Sequence, residues 1–313
     1  MRAATVVDGR IEVRDHPDPE PGAGQILVRI HAAGLNGADL IQKRGHYAAP
    51  PGSPPDIPGL ELAGEVIALG SGASRFTVGE RVMAVVGGGG QAELAVVHER
   101  EVMPVPGPLN WSEAGGLPEV FTTAHDALFT QAGLTSGWRL CVHGGAGGVG
   151  TAGIQLGVAA GARVVATVRN PDVREKVADL GATVIEPGDA EAYGPYDVIL
   201  ELVGAPNMAT NLSALATGGR IAVIGVGGGA SFELNMMNLM AKRGRIHGST
   251  LRARPLEAKA DAARRMESQV LPHFESGWLK VPIHATFPLE EAAAAYDHFA
   301  AGAKFGKVVL TMD

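Results

Sequence analysis

Over the first hundred residues the apolar positions come in short runs cut by proline and glycine. QILVRIHAAG, ELAGEVIALG and RVMAVV are such runs, and PDPEPGAG and AAPPGSPPDIPG are among the segments that separate them. Runs of this length bounded by turn-forming residues predict strands, so residues 1–100 read as strands and turns. From about residue 120 the pattern changes. RLCVHGG predicts a strand, TAGIQLGVAAG a helix, ARVVATV a strand and PDVREKVADLG a second helix. That second helix carries its own boundaries: Asn170 caps it, Pro171 takes its first position, Val173, Val177 and Leu180 form its apolar stripe, and Gly181 ends it. DVILELVG, GGRIAVIGVGG and GRIHGSTL follow as apolar strands with helical segments between them. Strand and helix in alternation predict a doubly wound parallel sheet covered on both faces, an α/β fold. The closing FPLEEAAAAYDHFAAGAKFGKVVLTMD reads as a helix and a strand that return to the first domain. The expected division is residues 1–120 with 286–313 as a β-rich domain, and 121–285 as the α/β domain. No internal repeat of useful period is found.

Composition narrows the function classes. At 313 residues the chain exceeds one typical core, in keeping with two domains. Lys plus Arg number 26 against 33 Asp plus Glu, a net charge of −7 without any block of like charge, so a nucleic-acid partner is not expected. MRAATVVDGR lacks the apolar core of a signal peptide, and no run of about 18 apolar residues could span a bilayer, so a cytoplasmic protein without a membrane partner is expected. Cys141 is the only cysteine, which excludes an internal disulfide and any multi-cysteine zinc site.

The stretch RLCVHGGAGGVGTAG carries the main chemical signal. Gly145, Gly147 and Gly150 satisfy G-x-G-x-x-G between a strand and a helix. The first lets the chain turn, the second admits a pyrophosphate, and the third lets helix and strand pack closely. Backbone N–H groups of Ala146, Gly148 and Val149 complete the loop that would face the phosphates. No Gly-Lys-Ser/Thr follows, which removes the P-loop alternative. An NAD-selective site carries an acid about 20 residues beyond the loop. Here that position is Val168, followed by Arg169, with Arg174 further on. Neutral plus cationic suits the 2′-phosphate of NADPH; a solvated surface arginine is the alternative.

GLNGADLIQKRGHY, PGLELAGEV, VGERVMAVVGGGGQAELAVV, LPEVFTTAHDAL, HGGAGGVGTAGIQLG and KFGKVVL resemble, in this order, the zinc-independent quinone oxidoreductase branch of the medium-chain dehydrogenase/reductase superfamily. The resemblance implies a GroES-like catalytic domain and a Rossmann-type domain, with a homodimer as the assembly. Zinc alcohol dehydrogenases of that superfamily carry a metal-binding Cys where this chain has Asn36 and a metal-binding His where it has Leu60, so no metal is expected. Without that Lewis acid, unactivated alcohols become poor substrates, whereas a quinone or an α,β-unsaturated carbonyl spreads the charge that an arriving hydride leaves behind. The expected acceptor is therefore a small quinone or conjugated carbonyl, reduced in a dry cleft between the domains. By resemblance Asn36 and Tyr47 line the acceptor pocket and donate hydrogen bonds to a carbonyl oxygen. Each has a plainer reading, Asn36 in a turn and Tyr47 over an apolar patch. Asp39 and Glu61 are expected to organise the pocket. Thr123, Gly225, Val226, Ser249, Thr250 and Leu251 are expected around the nicotinamide, and Lys304 near the cofactor phosphates. A 2-enoyl or enone reductase, or an NADPH-binding protein without turnover, remains as an alternative on the same fold.

Overall fold

The structure, a computed structural model, describes residues 1–312. It divides into two compact units: Met1–Thr122 with Leu251–Gly302 and Lys307–Asp313, and Thr123–Thr250 with Ala303–Gly306. In chain order the first seven strands are β1 (Arg2–Val7), β2 (Arg10–Asp15), β3 (Gln25–Gly34), β4 (Glu61–Leu69), β5 (Arg81–Val85), β6 (Leu94–His98) and β7 (Val102–Pro104). Then come β8 (Arg139–Val142), β9 (Arg163–Thr167), β10 (Thr183–Ile185), β11 (Tyr196–Glu201), β12 (Leu215–Val223), β13 (Arg245–Gly248), β14 (Ile283–Pro288) and β15 (Lys307–Thr311).

The first unit is built on a seven-stranded sheet ordered β14-β15-β3-β4-β5-β7, with β6 also pairing β3; β1 and β2 form a separate hairpin. In β3 the apolar residues fall at every second position, so Ile26, Val28, Ile30 and Ala32 all turn inward. Ile26, Val28 and Ile30 pack with Leu62, Val66, Val82, Tyr296 and Leu310. The C-terminal strand does return here as expected: β15 runs antiparallel to β3 with Val309 opposite Gly34.

The observed division corrects the expected one, since residues 251–285 belong with the first unit rather than with the α/β domain. The helix Leu256–Gln269 is tied to the chain around β7 by a Lys259–Glu101 ion pair at 3.4 Å and by Arg264 Nη2 donating to the Val102 carbonyl at 2.6 Å. Phe274 packs edge-on against Phe121. A helix that follows a parallel strand reads in sequence as the next member of the alternation; only these long-range contacts reassign it.

The second unit is a six-stranded, wholly parallel sheet ordered β10-β9-β8-β11-β12-β13. The chain winds outward from β8 to β10, then crosses back to lay β11 against the other side of β8. The strand ends of β8 and β11 thus flank the switch point, where a doubly wound sheet opens a crevice for ligands. Leu140, Cys141, Val142, Val198, Ile199 and Leu200 are completely buried, as central strands covered on both faces require.

Candidate functional site

After β3 the chain turns through Leu35 and Asn36 into the helix Gly37–Lys43. The Asn36 N–H donates to Asp39 Oδ2 at 2.8 Å, a carboxylate reaching back from the third helical position to an otherwise orphan donor. Asp39 Oδ1 accepts the Gly59 N–H at 3.1 Å, which fixes the helix start against the entry to β4. Burial pushes the Asp39 carboxyl up to about 6, against the pull of these two backbone donors.

Glu61 opens β4 and Lys307 opens β15, and both side chains are almost completely buried. The antiparallel pairing of β15 with β3 brings them together. Lys307 Nζ donates to Glu61 Oε1 at 2.6 Å, to Asn36 Oδ1 at 2.7 Å and to the Leu35 carbonyl at 2.8 Å. Three N–H bonds meet three acceptors, so the ammonium is saturated. Glu61 Oε1 also accepts Asn36 Nδ2 at 2.9 Å, and Glu61 Oε2 accepts the Glu119 N–H at 2.8 Å. The second Asn36 amide hydrogen points to the Gly34 carbonyl at 3.3 Å. Both amide hydrogens are therefore engaged inside the cluster, leaving none for the acceptor carbonyl that the sequence reading assigned to Asn36. Its geometry is that of a bracket between Lys307 and Glu61.

Tyr47 is half-buried, and its hydroxyl has no protein partner among the described residues. The guanidinium of Arg252 lies over its ring, 4.6 Å from the centroid. Neither Arg252 nor Lys307 stands out in the sequence, because an arginine after GSTL and a lysine at the start of a strand both read as solvated.

In the second unit the left-handed turn of the glycine loop falls on Gly144, φ +66°, one residue before Gly145, to which the turn had been assigned. A Cβ on Gly150 would lie 2.3 Å from the Gly144 carbonyl oxygen, so the loop can approach the helix Gly148–Ala159 this closely only without a side chain. The first N–H groups of that helix have no acceptor within it and suit an anion. The Gly306 N–H donates to the Ala146 carbonyl at 2.9 Å, which seats Ala303–Gly306, and with it Lys304, on this loop.

Beneath the loop a polar chain joins three strand ends. The Gly144 N–H donates to Thr167 Oγ1 at 3.3 Å, and Thr167 Oγ1 lies 3.1 Å from His143 Nδ1. His143 Nε2 lies 2.7 Å from Asn211 Oδ1, and Asn211 Nδ2 donates to Glu201 Oε2 at 2.6 Å. Because the Asn211 amide donates to Glu201, its oxygen must accept, and so His143 carries a proton on Nε2. Glu201 Oε1 receives the N–H groups of Val203 and Gly204 at 2.6 and 2.8 Å, and the Glu201 carbonyl receives that of Gly225 at 3.1 Å.

At the end of β9, Val168 is buried against the glycine loop rather than exposed at the rim. Arg169 is exposed, and its guanidinium has no partner among the described residues. Arg174 differs from expectation: it is held by Glu186 at 3.0 Å and by the Val168 carbonyl at 3.1 Å. Ser249 Oγ donates to Asp126 Oδ2 at 3.0 Å, and Val226 is exposed. Thr123, Ser249, Thr250 and Lys304 all belong to this unit, whereas Leu251 belongs to the first.

Comparison with known proteins extends these observations. The alcohol dehydrogenase GroES-like domain matches residues 22–107 and the zinc-binding dehydrogenase family residues 148–268. The chain is 31% identical over 306 residues to a quinone oxidoreductase of Rattus norvegicus, covering 94% of this chain and 91% of that protein. It belongs to the medium-chain dehydrogenase/reductase superfamily, in its quinone oxidoreductase branch. A crystal structure of an alcohol dehydrogenase superfamily protein from Novosphingobium aromaticivorans superposes with a TM-score of 0.87 at 30% identity over 100% of both chains. A structure titled NAD-dependent alcohol dehydrogenase superposes with a TM-score of 0.86 at 28% identity, also over 100% of both. The GroES-like and Rossmann-type folds are thereby established, and the protein is an oxidoreductase of a family that works with a nicotinamide cofactor. No helix among the described residues is long and apolar enough to cross a membrane.

The family's two characteristic ligands fare differently against these residues. The glycine loop, its helix start and the crevice at β8 and β11 fit a dinucleotide. A catalytic zinc does not fit: Leu60 offers no donor, Asn36 is bonded to Lys307 and Glu61, and no group of three or more His, Cys, Asp or Glu among the described residues could hold a metal ion.

Proposed function

We propose that the protein reduces quinones or related conjugated carbonyls with NADPH, by hydride transfer and without a metal. The observation that carries this reading is the Asn36–Glu61–Lys307 cluster. Where zinc relatives place metal ligands, this chain has an amide and a leucine, and its own ammonium already supplies the buried cation beside Glu61. No Lewis acid is then available to hold an alkoxide, so acceptors that delocalise the incoming charge are favoured.

NADPH, when bound, supplies the hydride. Gly145, Gly147, Gly150 and the N–H groups of the following helix receive its pyrophosphate. Arg169, exposed and unengaged at the end of β9, receives the 2′-phosphate. Thr123, Gly225, Val226, Ser249 and Thr250 border the ring, and Lys304 lies near the phosphates. The Tyr47 hydroxyl, left without a protein partner, donates to the acceptor oxygen as charge develops there. Asn36, Glu61 and Lys307 hold the fixed polar floor of the acceptor site. A small-molecule acceptor, a homodimer and a cytoplasmic location accompany this reading.

A panel of quinones, enones, enoyl thioesters, simple ketones and alcohols, run with NADPH and NADH on the native protein and on Arg169→Ala, tests it. Quinones with NADPH are expected to give the highest kcat/KM, and Arg169→Ala is expected to lower the NADPH value by about 10- to 150-fold while leaving that for NADH nearly unchanged. Preference for NADH in the native protein would overturn the cofactor assignment. Enones or enoyl thioesters outpacing every quinone would shift the acceptor class.

A further inference from the structure

Arg252 is only 3% exposed, yet no carboxylate forms an ion pair with it among the described residues. Its Nε donates to the Gly87 carbonyl at 2.7 Å, Nη1 to the Tyr47 carbonyl at 2.9 Å and Nη2 to Gln42 Oε1 at 2.6 Å. All three acceptors are neutral. The flat face of the same guanidinium lies on the Tyr47 ring, 4.6 Å from its centroid. Asp39 reaches it only through space, without a hydrogen bond, and offsets the charge in part.

Isolated burial of a charge is costly, and proteins ordinarily neutralise it with an opposite charge. Hydrogen bonding alone would not require arginine here, since neutral donors could serve the same three carbonyl-type oxygens. What arginine adds is a permanent positive charge, fixed by three bonds and placed against an aromatic side chain whose hydroxyl is free. We propose that Arg252 is a specificity-determining and positioning residue of the acceptor site: it fixes Tyr47 and lends the site a positive charge without an ion-pair partner, which selects acceptors bearing anionic oxygen. This rests on the assignment of Tyr47 to the acceptor site. The favoured substrate class is then hydroxylated quinones, ionised in water at neutral pH, over uncharged quinones of the same size.

Equilibrium binding of two probes separates the charge from the scaffold: 2-hydroxy-1,4-naphthoquinone, an anion at neutral pH, and uncharged 1,4-naphthoquinone. Both are titrated into the native protein, Arg252→Lys and Arg252→Gln. Arg252→Gln is expected to weaken the anion about tenfold or more and the neutral quinone less than about threefold, while Arg252→Lys, which keeps the charge, retains most of the anion's affinity. Equal losses for both probes in both variants would mean that Arg252 only holds the loop, and no loss for either would place the charge away from the acceptor; each result overturns the proposal. Binding is read without turnover. A protein that reduces no quinone yet binds the anion through Arg252 therefore contradicts the quinone reductase reading and leaves the charge assignment intact. Should Arg252→Gln fail to fold, Arg252→Lys against the native protein at two salt concentrations decides: anion affinity that ignores salt and the substitution alike sinks the proposal.

Discussion

Lys307 sits at the centre of the buried polar cluster, one ammonium among three acceptors. Its ammonium balances Glu61 where both side chains are almost completely buried, and removing it strands a buried carboxylate. Lys307→Met is expected to cost about 3 to 5 kcal/mol of stability, and Lys307→Met with Glu61→Gln distinctly less, because the second change removes the stranded charge. Denaturant melts of the four proteins in this cycle measure it; simple additivity would mean that the pair is not coupled. Asp39 gives a second test, through pH. Its carboxyl rises from 3.8 to about 6 in the folded protein, so between these values the native state binds more protons than the unfolded chain. Stability therefore falls as pH rises from about 4 to about 6, by about 3 kcal/mol at most, and levels off above. Asp39→Asn is expected to flatten that slope in melts across this range; an unchanged slope would assign it to other groups. Of these residues the sequence showed Asn36, Asp39 and Glu61 through their motifs. Lys307 stayed hidden because its partner lies 246 residues away, and nothing local distinguishes it from a solvated lysine.

Among the elements, β3, β4, β8, β9 and β11 were legible because unbroken or alternating apolar runs ended at glycine or proline. The segment 251–285 was placed with the α/β domain, and its allegiance was not legible because it depends on Glu101, Val102 and Phe121 far earlier in the chain. Nor did the sequence announce the polar chain under the glycine loop. His143, Thr167, Asn211 and Glu201 sit at or near the ends of different elements, with no common spacing. That chain holds the Val203 and Gly204 N–H groups on Glu201, which shapes the loop after β11. Asn211→Leu leaves His143 and Glu201 each short of a partner. A stability loss of about 2 to 4 kcal/mol is expected, with faster amide hydrogen exchange at Val203 and Gly204 than at β3 of the other unit. Uniform acceleration across both units would show that Asn211 supports global stability alone.

For the molecule as a whole, a parallel sheet with a dinucleotide-type glycine loop, and a unit with Asn36 and Leu60 at the positions of zinc ligands, frame the proposed chemistry. The fold class was readable from the alternation of strands and helices, and the proposal of metal independence starts from Asn36 and Leu60 in place of zinc ligands. What fills their place was readable only from the three-dimensional cluster, since an asparagine in sequence looks like a free donor and here has none to give. That cluster makes the central claim, reduction without a Lewis acid, directly measurable. The decisive measurement is kcat/KM for the best quinone with NADPH, on protein dialysed exhaustively against a strong chelator, assayed with and without added zinc. Unchanged activity after chelation, with no gain from zinc, is the expected result. Activity lost on chelation and restored by zinc would contradict it.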